Sequence, residues 1–133
     1  MERTEHKPSE STPDLFGQIA RIFSTGDTAR AADIFDTHYL DHQRPADSEG
    51  VGPEEFIEIV RGARNSLPSL TVSLLGKVLS YEDLHVGLLR WTSPHLRLQR
   101  DTVEVLRVAN GKVVEHWGMQ LRSGQLGDAV EYS

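Results

Sequence analysis

The stretch Thr102-Val103-Glu104-Val105-Leu106-Arg107-Val108-Ala109-Asn110-Gly111-Lys112-Val113-Val114-Glu115-His116-Trp117 reads as a β-hairpin. Two runs rich in Val and Leu flank Asn110-Gly111, the dipeptide best suited to the left-handed backbone of a tight turn. Loop length then decides which side chains meet. A two-residue turn pairs Ala109 with Lys112 and sets Glu104 opposite Trp117. A three-residue loop pairs Val108 with Lys112 and sets Glu104 opposite His116. A slip of one residue changes every cross-strand partner, and the local sequence allows both registers.

Working outward, Leu70–Tyr81, Leu84–Thr92, Leu96–Val108 and Val113–Leu121 are all strand-like and separated by turn residues, with Gly76 marking a bulge in the first. The N-terminal half has helical periodicity instead. Thr12 and Pro13 open a helix whose stripe is Leu15, Phe16, Ile19, Ile22 and Phe23, and Gly26 stops it. A shorter helix from Asp27 carries Ala31, Ala32, Ile34 and Phe35. Tyr39–His42 is a short extended piece, and 44–52, with Pro45, Gly50 and Gly52, is a loop. A third helix starts at Pro53, with Glu54 and Glu55 at its positive end and Arg61 and Arg64 towards its negative end. Helices followed by a run of antiparallel strands predict an α+β domain over residues 13–133, behind a polar tail at 1–12. The sheet is expected to curl into a cone with the helices on its concave face, leaving a pocket between the two layers.

Composition narrows the chemistry. The 133 residues contain no cysteine, which excludes disulfides and thiolate sites. Fourteen Lys and Arg are scattered among 20 acids, for a net charge of −6, so no basic face is expected for nucleic acid. No apolar run approaches the ~20 residues that span a bilayer. A cytoplasmic protein is expected. There is no phosphate-binding glycine loop, and no histidine spacing marks a metal site, so neither cofactor nor metal is expected.

The hairpin, with its Gly111-Lys112-Val113-Val114-Glu115-His116-Trp117 ending, resembles the closing hairpin of SnoaL-like polyketide cyclases. These belong to the nuclear-transport-factor-like and ketosteroid-isomerase-like superfamily. Tyr39-Leu40-Asp41-His42 resembles a second segment of that group, and the order of elements agrees from about 14 to 127. The resemblance implies a helix-backed curved sheet with a deep pocket, and a homodimer formed through the outer sheet face. It implies that His42 stands where these enzymes carry a general base, and Glu104 where they carry a carboxylic acid. It places His116, Gly118 and Gln120 on the cavity side and favours the three-residue loop. One departure is clear: no acid follows Trp117 until Asp128, where the cyclases have an essential aspartate shortly after this motif.

The expected catalytic group is therefore His42, Glu104 and His116, with Tyr39, Trp91, Gly118 and Gln120 as pocket walls. A histidine titrates near physiological pH, and an inward carboxylate must be paired or protonated. Each residue has a plainer alternative: a loop-end histidine, an outward strand glutamate, a structural His–Glu hydrogen bond, aromatic packing. Two functions follow. One is cofactor-free acid–base chemistry (cyclisation, isomerisation or dehydration) on a small hydrophobic oxygenated molecule of secondary metabolism. The other is a non-catalytic ligand-binding or dimerisation module.

Overall fold

The computed structural model of the chain describes residues 14–43 and 50–121. The expected tail, the Thr12-Pro13 helix start, most of the 44–52 loop and Asp128 lie outside the described residues. Helix α1 (Leu15–Thr25) begins after Asp14 and buries the expected stripe. Gly26 ends it in the left-handed conformation (φ 80°), its N–H donating to the Ile22 carbonyl at 2.7 Å. Arg64 takes the neighbouring free carbonyls, donating to Phe23 O (2.9 Å) and Ser24 O (2.8 Å). A charge expected only to complement its own helix thus also ties α3 (Pro53–Ser66) to the end of α1.

Between these helices the sequence expectation needs correcting. The second helix, α2, is one turn (Ala31–Ile34), and Phe35 opens strand β1 (Phe35–Asp41) instead of closing the helix. Asp27 is spent in a turn, its carboxylate accepting the Ala29 N–H at 3.1 Å. Long-range pairing takes over from Phe35: β1 lies parallel to β5 (Lys112–Gln120), with Phe35 opposite Val113 and Asp41 opposite His116. The sheet is therefore mixed. Its order is β1-β5-β4-β3-β2, with β2 at Thr71–Tyr81, β3 at Leu84–Ser93 and β4 at Leu98–Ala109. A 3₁₀ turn at Pro94–Leu96 delays β4 past its expected start. The register shift between Leu75 and Leu79 sits around Gly76 (φ 69°), as the sequence suggested.

The helices cover one face of this open sheet. Val72, Leu89, Leu106, Val108 and Val113 are buried beneath them, and Ser24 docks α1 on β2 by exchanging hydrogen bonds with the Val72 backbone. Aromatic rings fill the space between the layers. Phe35 stacks on Phe56 (centroids 4.1 Å apart), and Phe23 meets Phe56 and Trp91 edge-on. Phe16 lies flat on Gly87, where an added Cβ would come within 3.0–3.2 Å of three ring atoms. Phe16 is 1% exposed and is packed into the core. Gly87→Ala is therefore expected to cost about 1–3 kcal/mol by overpacking. Urea denaturation reads this directly, and an unchanged midpoint would show that α1 is not held against β3 here.

Candidate active site

The decisive hairpin adopts neither of the two registers read from sequence. Asn110 and Gly111 both have positive φ (54° and 78°), giving the two-residue turn with Ala109 opposite Lys112. The three-residue loop favoured by the resemblance is not formed. A bulge then intervenes: Val108 pairs with Val113 and Arg107 with Glu115, so Val114 has no opposite number. The extra residue moves the rest of β5 by one. Leu106 faces His116, and Glu104 faces Gly118. Glu104 and His116 are therefore diagonal neighbours on one face, not directly opposed. The bulge returns His116, in place of Trp117, to the helix-covered side.

There it meets two carboxylates. His116 Nε2 lies 2.5 Å from Glu104 Oε1, and Nδ1 lies 3.0 Å from Asp41 Oδ1. The side chains are buried, with 14%, 7% and 4% exposure for His116, Glu104 and Asp41. Both carboxyl groups can accept from the ring, and the raised proton affinity of His116 makes it an imidazolium with hydrogen on both nitrogens. Burial alone would push its pKa down. The hydrogen bonds and charges of Asp41 and Glu104 outweigh that and raise it to about 9. Asp41 shows the converse. Burial would raise it, yet the His116 cation, the Tyr39 hydroxyl (2.6 Å) and the Gln43 N–H (2.8 Å) hold it below its ordinary value. Burial and the neighbouring Asp41 charge push the Tyr39 phenol upward. On the other side, Thr102 Oγ1 donates to Glu104 Oε2 at 2.5 Å and accepts from Trp91 Nε1 at 2.9 Å. One chain of hydrogen bonds thus crosses the sheet from Trp91 to Tyr39.

This chain forms the polar end of a cavity of about 260 Å³. Phe16, Phe23, Phe35, Phe56, Tyr39 and Trp91 contribute to its walls, and Asp41, Gln43, Glu104 and His116 supply its polar groups. Four expected residues, Tyr39, Trp91, Glu104 and His116, therefore meet at one place. His42 does not. Its ring lies on the outer face, stacked on Trp117 (5.0 Å, interplanar 6°), with Nε2 2.7 Å from Glu115 Oε2. Arg107 joins the same Glu115. Successive strand residues point to opposite faces, so Asp41, one residue before His42, faces the inner side. Asp41 is the residue the sequence expectation missed. Gln120 is also corrected: it is exposed at the end of β5 and does not line the cavity. Gly118 does not line it either, but leaves room beside it. A Cβ there would collide with Gln43 Oε1 and sit 2.8 Å from Glu104 Oε1.

Among the described residues no group of three His, Asp or Glu is arranged to hold a metal ion, and no helix is long and apolar enough to cross a membrane. The fold and site together define a class: helix-backed open sheets enclosing an apolar cavity with a carboxylate–imidazolium group at one end. The sequence profile of the SnoaL-like polyketide cyclases matches residues 14–126, and the chain belongs to that family. Solved structures of the same fold include a candidate polyketide cyclase from Bacillus cereus, at 18% identity and TM-score 0.70 over 80% of this chain and 71% of that one. A second, from Acidithiobacillus ferrooxidans, is 16% identical, with TM-score 0.70 over 90% and 94%. IdmH, a candidate polyketide cyclase from Streptomyces antibioticus, is 17% identical, with TM-score 0.69 over 94% and 99%. No curated protein matches the sequence significantly.

Proposed function

We propose that this protein is a cofactor-independent acid–base enzyme of the cyclase, isomerase or dehydratase kind, acting on a small hydrophobic oxygenated metabolite of secondary metabolism. The observation that carries this reading is His116 held between Asp41 and Glu104 at the polar end of an otherwise apolar cavity. A carboxylate facing the cavity takes a proton from the substrate and becomes a neutral acid. The imidazolium keeps the second carboxylate ionised, and the same proton is returned at another atom. Because both nitrogens of His116 are occupied, the group that meets substrate is Glu104 or Asp41, and His116 sets their charge. The exposed apolar side chains Leu79, Tyr81 and Met119 support the homodimer as part of the same proposal.

A base buried among aromatic rings should act on a generic carbon acid. 5-Nitrobenzisoxazole is neutral and bicyclic. Loss of its ring C–H proton to a carboxylate breaks the N–O bond and releases a coloured cyanophenolate. The protein is expected to accelerate this opening over buffer. The double variant Asp41→Asn, Glu104→Gln is expected to lower the rate about 10²-fold, the lower range for general-base catalysis. Equal rates for the folded variant and the unaltered protein would leave a non-catalytic binding module as the better description.

A further inference from the structure

We propose that the ligand of this cavity is a neutral or cationic molecule of one or two rings that donates a hydrogen bond to the cavity floor, so that donor ligands are preferred over anionic and acceptor-only ones. The inference rests on the acid–base reading and adds the class of molecule that the same site accepts.

Hydrogen-bond accounting supplies the polarity. Each buried donor near the floor is already committed to a neighbour within it. The Trp91 N–H goes to Thr102, the Thr102 hydroxyl to Glu104, and the Tyr39 hydroxyl and Gln43 backbone N–H to Asp41. His116 spends one N–H on each carboxylate. Acceptor capacity is left over. Two carboxylates offer about eight lone-pair directions. Five are used by these contacts: three on Asp41 and two on Glu104. Among the described residues the other polar side chain lining the cavity is Gln43, an exposed residue outside the chain from Trp91 to Tyr39. A ligand oxygen without hydrogen finds no free donor in that chain, only the Gln43 side-chain amide beside it, and an unpaired buried polar group is costly. A hydroxyl, enol or amine finds one at once.

Charge and size point the same way. Two carboxylates and one imidazolium leave the floor with one net negative charge, and no Lys or Arg lines the cavity among the described residues. An anionic ligand would meet repulsion in a low-dielectric space with nothing to offset it. Aromatic walls do accept a cation. A cavity of ~150 Å³ holds benzene, and drug-sized ligands occupy ~300–1,000 Å³. About 260 Å³ lies between them and suits one or two rings.

The test is calorimetric titration of the intact protein with four probes: 2-naphthol, 2-methoxynaphthalene, 2-naphthoate and 1-hydroxypyrene. 2-Naphthol should bind about tenfold or more tightly than its methyl ether, which differs by the one hydrogen a carboxylate would accept. 2-Naphthoate and the four-ring hydroxypyrene should show no measurable binding. Glu104→Gln replaces one of two acceptor oxygens with a donor NH2 and removes the charge, and should shrink the preference for naphthol over its ether. If that variant does not fold, the probes on the unaltered protein decide. Equal binding of naphthol and its ether, or binding of naphthoate, overturns the polarity class and leaves the acid–base reading standing. Equal binding of hydroxypyrene overturns the size class. If no probe binds, both the inference and the cavity's role in the proposed function fall.

Discussion

Replacing His116 with alanine is expected to cost about 3–5 kcal/mol of folding stability at neutral pH, because it strips the cation from two buried carboxylates. Asp41 and Glu104 are 3% and 5% exposed, so little bulk solvent reaches them to replace the charge of the ring. One of them must then bind a proton or the local structure must open. The loss should accordingly shrink as pH falls and the carboxylates are neutralised without help. His42→Ala is the informative comparison. That ring also pairs with a carboxylate, but its side chain is 38% exposed and Glu115 keeps Arg107. An exposed pair of this kind is worth about 1 kcal/mol or less. Urea denaturation of both variants at neutral pH separates the two faces of the sheet. A His116→Ala loss no larger than that of His42→Ala would mean that the inner carboxylates do not depend on the imidazolium.

The second large effect is on pH. His116 has its pKa raised in the folded protein from the usual 6.5 to about 9. Its contribution to stability is therefore complete below about 6.5 and is lost as pH rises through about 9. The difference corresponds to about 3 kcal/mol. Asp41 acts in the opposite sense. Its folded pKa is lowered, so its contribution is present above its ordinary value of 3.8 and is lost as pH falls through the depressed one. Stability should thus be greatest in mildly acidic solution and decline on the alkaline side as pH rises through about 9. Denaturation midpoints measured from pH 6 to 10 read this directly. A flat profile over that interval would show that His116 has the same proton affinity folded and unfolded. His116→Gln, which cannot titrate, should flatten the alkaline limb.

The error at His42 has an instructive cause. Tyr39 was expected on the pocket wall, and strand side chains alternate, so residue 41 shares that wall and residue 42 does not. Asp41 was therefore within reach of the sequence. What concealed it was the resemblance, which set His42 at the position where those enzymes carry a general base. In fact β1 stays paired to β5 through Asp41, and the His42 N–H still donates to the His116 carbonyl at 2.9 Å. The short second helix has a related cause. Phe35 completes an apolar helical stripe as well as it starts a strand, and only its pairing with Val113, far along the chain, selects the strand.

By itself the sequence determined the amphipathic helices α1 and α3, the four C-terminal strands, the bulge at Gly76 and the turn residues Asn110-Gly111. Each depends on periodicity, or on a backbone preference that acts within a few residues. Only the tertiary structure decided that Val114 is bulged, that β1 runs parallel to β5, and that Asp41 completes the carboxylate pair around His116. Each of these depends on matching one strand to another distant in sequence. A local pattern states which face a residue takes relative to its neighbours, while the register between strands is set by the packing of the whole sheet beneath its helices.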